Sequence, residues 1–432
     1  MKDNFISKFA YLFSSNMINL LLGVLLSVFI ARYLGPSDLG VKTILTSFPL
    51  LFVSFFEMGV RQSTVYCIGK NTFDLNSLFS NILLLWILSS LIGLFSYGVL
   101  TYYQFSNYTT LLIVLSASYI PINIGQSFLN GILIGKNMIT SLARFNLYNA
   151  ILVPVLTVIF LLFFDLGILG VLLASQAGSF FLLSSRVWIL KRELRLSFVV
   201  GFNFNIITKL ISKGVLYAVS LFLSGNLKMI PIYLMTGKID NYWIGIYSAG
   251  AAFALLLYNF INSMGPILFA RSAESIDGKE NSEKTQILLR VAIPILSIIA
   301  FFLILLMKFI IPLMYGDKYN ESIPVTQILI VGFVFYAVCY FLGMDLAGKG
   351  KPYIQIKSLL LPFILCIAFN YYAIEIWGVI GAAFSTSLAL ISAAISNLYQ
   401  YSKELSLSIS EVIKPRKSDW IFFGNQLKSI LR

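Results

Sequence analysis

The sequence predicts an all-α integral membrane protein with twelve transmembrane helices, and three observations lead to that prediction. Of its 432 residues, 58% are apolar and 11% are charged, whereas soluble globular proteins are about 25% charged. The apolar residues form long uncharged runs, and about 20 such residues in a helix cross the ~30 Å hydrocarbon core of a bilayer. Short patches of the first half of the chain also recur in the second half at a nearly constant spacing, which indicates two copies of a six-helix unit.

The gaps between charged residues locate the first four helices. The first lies within 8–32, which encloses 23 uncharged residues, and the second runs near 40–60 despite Glu57. Residues 75–135 form a run of 61 without charge, which is enough for two helices and a polar turn. Because the first helix is too long for a signal peptide and no small-residue cleavage site follows it, we expect it to stay in the mature chain.

The other eight helices follow from the same rule, although helices 7 and 9 each contain one lysine, Lys228 and Lys308. Their predicted limits are 144–165, 165–186, 214–236, 240–271, 291–313, 321–345, 357–375 and 375–403.

Three sequence patches of the first half return in the second half in the same order: 167–170 as 378–381, 193–197 as 404–408, and Gly135-Lys136 as Gly348-Lys349. Each copy has six helices, an even number, so the two lobes share an orientation and are related by a pseudo-two-fold axis along the membrane normal. This duplication is typical of transporters that rock two bundles around a site at mid-membrane.

The distribution of basic residues sets the orientation, because loops rich in Lys and Arg are retained in the cytoplasm. They cluster on the side of the N-terminus, so we expect both termini to be cytoplasmic. The net charge of +13 then reflects orientation, and no nucleic-acid partner is expected. The predicted parts are an N-lobe at 1–190, an amphipathic cytoplasmic linker at 191–213, a C-lobe at 214–402 and a basic cytoplasmic tail at 403–432.

The composition excludes much catalytic chemistry. The chain has no histidine, which removes His-containing metal sites and Ser/His or Cys/His catalysis. Its three cysteines are too few and too scattered for a metal cluster or a disulfide framework. The one phosphate-loop lookalike, 343–349, has Gly350 where Ser or Thr would hold Mg²⁺. We therefore expect no cofactor, no metal and no enzymatic activity.

Charged residues within or at the ends of the spans are the candidate site residues, because a charge near the bilayer centre costs about 2.5 to 3.5 kcal/mol. Lys228 lies deep in helix 7 and is predicted, with Arg61, to bind a diphosphate group, since lysine and arginine suit phosphate. A lysine that reaches the outer interface is the alternative for Lys228. Glu57 and Asp345, each four residues from a basic residue, are candidates for ion coupling, and structural ion pairs are the alternative.

Three segments carry a resemblance to a known family. Residues 31–40, Ala-Arg-Tyr-Leu-Gly-Pro-Ser-Asp-Leu-Gly, and 56–61, Phe-Glu-Met-Gly-Val-Arg, resemble the opening of the polysaccharide biosynthesis flippases. These are the Wzx-type members of the multidrug/oligosaccharidyl-lipid/polysaccharide exporter superfamily. Residues 240–249 resemble that family's start of helix 8. The motif residues carried over are Arg32, Gly35, Pro36 and Gly40.

The resemblance implies a twelve-helix, two-lobed protein in the bacterial inner membrane. Such a protein moves an undecaprenyl-diphosphate-linked oligosaccharide repeat unit, for O-antigen, capsule or exopolysaccharide, from the inner to the outer leaflet by alternating access. The expected partners are this glycan, membrane lipids, and the polymerase and other glycan-assembly proteins.

Two other functions stay open at this point. A cation-coupled multidrug exporter of the same superfamily would use a buried acidic site within a lobe, which only Glu57 and Asp345 approach. A membrane polysaccharide polymerase or ligase is less favoured, because the predicted outer loops are too short for a catalytic domain.

Overall fold

The computed structural model describes residues 2–105, 108–262, 265, 268 and 279–420, with side chains from residue 18 onward except at 260 and 279–281. Every regular element of these residues is a helix. The helices are α1 Lys2–Phe56, α2 Val60–Gly69, α3 Leu75–Gln104, α4 Thr110–Gly135, α5 Ile139–Leu162, α6 Gly167–Arg192, α7 Phe204–Asn226, α8 Ile230–Met235, α9 Asn241–Asn262, α10 Lys279–Tyr315, a 3₁₀ turn Asp317–Tyr319, α11 Ser322–Gly348, α12 Pro352–Leu405 and α13 Ile409–Ile413.

Nine of these helices are long and apolar enough to cross a membrane, and two of the nine are kinked into two spans each. The kink in α1 is at Gly35 (φ 77°, ψ 175°), and the kink in α12 is at Gly378 (φ 57°, ψ −134°). α9 adds a span of 22 residues, about 33 Å of helix. Within the described residues, the prediction of twelve transmembrane segments is confirmed.

The seventh span differs from its prediction in both start and continuity. It was expected as one helix near 214–236, but it begins at Phe204 and consists of α7, a turn at 227–229 and α8. Pro231 lies in the first turn of α8, where its missing N–H leaves no intrahelical bond unmade. Lys228 therefore lies in a break of the helix, where hydropathy alone predicts a continuous span.

Packing divides the chain into two compact units. Unit 1 comprises Met1–Asn226 with Ile239–Gly245, and unit 2 comprises Leu227–Lys238 with Ile246–Arg432. α7 belongs to unit 1 because it packs against α1, α2 and α3, whereas α8 packs against α12 in unit 2. The lobes expected on either side of the linker at 191–213 do not coincide with these packing units, and the lobe boundary stays a prediction.

The backbone repeats the duplication found in the sequence. Three pairs of corresponding residues have left-handed φ angles: Gly167 and Gly378 (53° and 57°), Asn137 and Gly350 (59° and 72°), and Arg195 and Ser406 (50° and 55°). Positive φ is uncommon outside glycine, and half of these residues are not glycine. Matching strained positions at the repeat spacing therefore support two copies of one unit.

Each unit has a central helix. In unit 1, α4 packs against α1, α2, α3 and α6, and in unit 2, α11 packs against α10 and α12. Some of the polar groups between the helices of unit 1 pair with one another. The Tyr97 hydroxyl and Ser116 Oγ are 2.6 Å apart, and Ser116 Oγ donates to the Leu45 carbonyl at 2.5 Å. Such pairing offsets the cost of burying hydroxyls away from water.

Candidate functional site

The first segment that resembles the flippases, 31–40, meets the start of the third, 240–249, within unit 1. Gly35 makes the kink of α1, Pro36 opens its second half, and Gly40 lies one turn further on. Gly40 faces Gly245 of α9 so closely that a Cβ on either residue would lie 3.1 Å from the backbone nitrogen of the other. A Cβ on Gly40 would also collide with the carbonyl of Asn241. These glycines therefore permit a close crossing of two helices.

Arg32, the remaining motif residue, is exposed near the end of the first half of α1. The neighbouring Tyr33 hydroxyl donates to Asp165 Oδ1 at 2.5 Å, which ties α1 to the turn after α5. The structure thus places the opening motif at a turn and a helix crossing.

Glu57 and Arg61 form the predicted pair four residues apart. Arg61 Nε is 3.5 Å from Glu57 Oε1, and the same oxygen accepts a hydrogen bond from Ser127 Oγ at 2.5 Å. Glu57 lies in the turn between α1 and α2, in which Met58 and Gly59 have positive φ. The Glu57 side chain is 18% exposed and that of Arg61 is 36% exposed. A partner carboxylate already neutralises Arg61, which makes this arginine a weaker anion ligand than an unpaired one.

Lys228 lies half-buried in unit 2, in the turn between α7 and α8. Its ammonium is 3.8 Å from the centroid of the Tyr258 ring on α9. Tyr258 packs at 5.9 to 6.0 Å on Phe333, Tyr336 and Tyr340 of α11. Among the described residues, no carboxylate forms an ion pair with Lys228. A lysine supported by a ring face presents a charge that an anionic ligand can neutralise.

Asp345 is fully buried in unit 2. Its Oδ2 is 2.7 Å from Lys349 Nζ and accepts a hydrogen bond from the Tyr401 hydroxyl at 2.8 Å. Thr285 Oγ1 donates to Oδ1 at 3.4 Å, and Lys349 also donates to Ser282 Oγ. These contacts join α10, α11 and α12. A carboxylate held by three donors, one of which is a cation, stabilises the junction of the three helices.

Sequence reasoning missed two buried arginines. Arg186, used only as the end of helix 6, is 3% exposed and donates to Asn130 Oδ1 at 2.7 Å and Asn146 Oδ1 at 3.2 Å. Arg290 is 2% exposed, lies 3.5 Å from Asp419, and donates to main-chain carbonyls of the α13 segment. For Arg186 the available signal was the asparagines within apolar helices, because a buried amide needs a polar partner.

The α13 segment that Arg290 holds has its own cap. Ser408 Oγ accepts a hydrogen bond from the Glu411 N–H, and the Glu411 carboxylate accepts hydrogen bonds from the Ser408 N–H and hydroxyl. These bonds lower the pKa of Glu411. The capping box thus fixes the start of a short helix whose Val412 is fully buried. The part of the predicted basic tail beyond residue 420 lies outside the described residues.

The structure brings some of the predicted site residues together and separates others. Glu57 and Arg61 are paired in unit 1, while Lys228 and Asp345 both belong to unit 2. Within unit 2 the cation paired with Asp345 is Lys349. A joint site of Lys228 and Arg61 stays a prediction. In the described part of the chain, no group of three or more His, Cys, Asp or Glu side chains could hold a metal ion.

Two solved structures share this fold. The lipid II flippase MurJ in an inward closed conformation matches with a TM-score of 0.73 at 15% identity, covering 94% of this chain and 89% of that one. An inward-facing multidrug resistance MATE family transporter of the MOP superfamily matches with a TM-score of 0.70 at 16% identity, covering 92% of this chain and 98% of that one. The chain therefore has the two-lobed, twelve-helix fold of these transporters.

Similarity in sequence identifies the family. A putative O-antigen transporter of Shigella flexneri is 24% identical over an alignment of 402 positions that covers 88% of this chain and 93% of that protein. The family model described as polysaccharide biosynthesis protein matches residues 5–274, more than half of the chain. This multi-pass membrane protein belongs to the polysaccharide biosynthesis protein family.

Proposed function

We propose that the protein is a flippase that moves an undecaprenyl-diphosphate-linked oligosaccharide repeat unit from the inner to the outer leaflet of the bacterial inner membrane. The family and the O-antigen transporter of Shigella flexneri support the proposed class of cargo. The fold shared with a lipid II flippase supports the proposed movement of that cargo between the two leaflets. The structural observation that carries the proposal is Lys228, half-buried on the Tyr258 ring.

The chemistry of the cargo fits a site with such a lysine. A diphosphate carries concentrated negative charge, and a positive charge attracts it more strongly where protein lowers the effective dielectric constant than it does in bulk water. The lysine ammonium is a compact charge with three donors and can move between phosphoryl oxygens. The polyprenyl chain stays in the lipid, so only the head group and its sugars need a polar environment. Arg61 is the proposed second ligand, and it would have to exchange its contact with Glu57 for the phosphate.

The site indicates the energy source of transport less directly than it indicates the cargo. We propose Glu57 as the better of the two candidates for ion coupling, because its carboxylate is 18% exposed and has a single basic partner among the described residues. Asp345 is fully buried and already accepts from Lys349, Tyr401 and Thr285. Release of those three contacts would be needed before an external ion could bind.

The multidrug-exporter alternative has weaker support, although its fold is the same. A site for an organic cation needs a buried carboxylate without a cation of its own. The two fully or nearly fully buried carboxylates of the described residues, Asp345 and Asp419, are paired with Lys349 and Arg290. Lys228, by contrast, is a half-buried basic residue of unit 2 with no ion pair among the described residues. An enzymatic role as polymerase or ligase has no supporting group of side chains in the described residues.

Substitution of Lys228 tests the proposal. In a strain that lacks its own flippase, we expect Lys228→Ala and Lys228→Glu to abolish surface glycan and Lys228→Arg to retain most of it, at unchanged protein level. Lys308→Ala is the matched control, because Lys308 is also a lysine of a membrane helix beside a ring, 4.9 Å from Phe309, but is exposed. Normal glycan in Lys228→Glu would disprove the assignment of this residue.

A further inference from the structure

The connection between α6 and α7 exposes an unusual number of apolar side chains. We call residues 197–204 the linker strap; it has no regular structure until α7 begins at Phe204. Five of its eight residues have side chains that are both apolar and exposed, namely Phe198, Val199, Val200, Phe202 and Phe204. A segment of this kind in water would be driven to bury those side chains.

Hydrogen bonds to α3 hold the linker strap in its exposed position. The Gly201 N–H donates to the Ser80 carbonyl at 3.2 Å, and the Asn203 N–H donates to Asn81 Oδ1 at 2.6 Å. The strap therefore runs beside the first two turns of a transmembrane helix, within about 9 Å of its start along the helix axis. Amphipathic segments bury their apolar side chains at this depth, about 5 to 10 Å into the boundary between head groups and acyl chains.

Cation–aromatic pairs involve basic residues on the segments that flank the linker strap in sequence. They are Arg192 over Trp188 at 5.0 Å, Lys209 over Phe73 at 5.0 Å, and Lys213 over Tyr66 at 5.8 Å, all within unit 1. Aromatic rings with a polar or charged partner are enriched at membrane interfaces, because one face is apolar and the other is wet. The pairs therefore place the strap at the surface of the bilayer.

The basic residues around the linker strap indicate which kind of partner it contacts. Residues 191–213 contain five basic residues and one acidic residue. We propose that the linker strap docks on anionic phospholipids, with its apolar side chains among the acyl chains and its basic residues on the lipid phosphates. Each basic residue near an anionic surface strengthens the binding of a segment to that surface about fivefold. This role goes beyond the proposed transport: it anchors to lipid the connection between the two copies of the duplicated unit.

Fluorescence quenching in nanodiscs tests the lipid contact. The full-length variant Phe202→Cys is labelled with a fluorophore, and the three native cysteines stay unlabelled because they are buried. The nanodiscs contain phosphatidylcholine and phosphatidylglycerol in equal amounts, and only one of the two lipids is brominated in each sample. We expect brominated phosphatidylglycerol to quench the label at least about fivefold more than brominated phosphatidylcholine does.

Two controls separate charge selection from lipid contact in general. A label at Phe163→Cys sits on a side chain that is 77% exposed, as against 74% for Phe202, but at the opposite end of unit 1 beside the acidic Asp165. There the two brominated lipids should quench equally. Adding Arg195→Gln, Lys209→Gln and Lys213→Gln to the Phe202→Cys variant should bring its ratio close to that of the control.

The remaining outcomes overturn the proposal. Equal quenching by both lipids at position 202 would mean that the strap contacts lipid without selecting its charge. Quenching by neither lipid would mean that water or another protein covers the strap. Gel filtration of each variant confirms that the exposed substitutions leave the fold intact.

Discussion

Single charged residues contribute to stability according to how deeply they are buried. Asp345 and Lys349 form a pair whose side chains are 0% and 11% exposed, whereas those of Glu375 and Lys238 are 55% and 26% exposed, at nearly the same separation of about 2.6 to 2.7 Å. Water screens the second pair but not the first. Loss of one partner of the buried pair leaves a charge that nothing nearby compensates.

A double-mutant cycle measures this difference. We expect Asp345→Asn and Lys349→Met each to lower the free energy of unfolding by about 3 kcal/mol, and the double variant to lose much less than their sum, because no charge is then left buried alone. The same cycle with Glu375→Gln and Lys238→Met should give a coupling under about 1 kcal/mol. Denaturation in detergent gives the four values for each pair. Equal coupling energies in the two cycles would show that burial does not distinguish them.

At the scale of helices, the spans were easier to predict than their interruptions. Gaps between charged residues, with charges allowed within helices 2, 7 and 9, located all twelve segments because a helix that crosses lipid needs about 20 mostly apolar residues. The break at 227–229 was not predicted, because it depends on α7 packing in unit 1 and α8 packing in unit 2. Gly35 was named as a motif residue, but its positive φ was not predicted, because that conformation depends on the turn that joins two spans of α1.

Two glycine-to-alanine substitutions, one at the crossing of α1 and α9 and one away from it, should change stability in opposite directions. Gly245→Ala should destabilise the protein by about 1 to 3 kcal/mol, because the new Cβ would collide with the Pro36 carbonyl. Gly98→Ala, in the middle of α3, should stabilise it by up to about 1 kcal/mol, because a Cβ there has no atom within 4 Å and alanine favours the helix. Thermal unfolding in detergent measures both. A Gly245→Ala variant as stable as the parent would show that the two helices can separate without cost.

At the scale of the whole molecule, the duplication and the membrane class followed from sequence, but the candidate site followed only in part. Lys228 was selected because a charge in a span is rare, and the structure adds the Tyr258 ring, which a different helix supplies. In the sequence, Arg186 and Arg290 were used only as charges that mark the end of a predicted span or lie next to one. Their partners Asn130, Asn146 and Asp419 lie on other segments of the chain, and no local pattern reports contacts between segments that are distant in sequence.

The two buried arginines lie in different packing units, so each should control the stability of its own unit. Arg290→Ala leaves Asp419 buried without its cation, which should favour opening of unit 2 by about 3 kcal/mol, or about a hundredfold. The native cysteines report on this directly, because Cys67 is buried in unit 1 and Cys339 and Cys366 are buried in unit 2.

Thiol labelling during mild heating should therefore give opposite patterns for the two variants. Arg290→Ala should expose Cys339 and Cys366 before Cys67, while Arg186→Ala, which removes the bonds to Asn130 and Asn146, should expose Cys67 first. Local opening of this kind spans free energies from near zero up to that of global unfolding. If either variant exposed all three cysteines at one common rate, the two units would unfold as a single cooperative body, and the buried arginines would stabilise the whole molecule together.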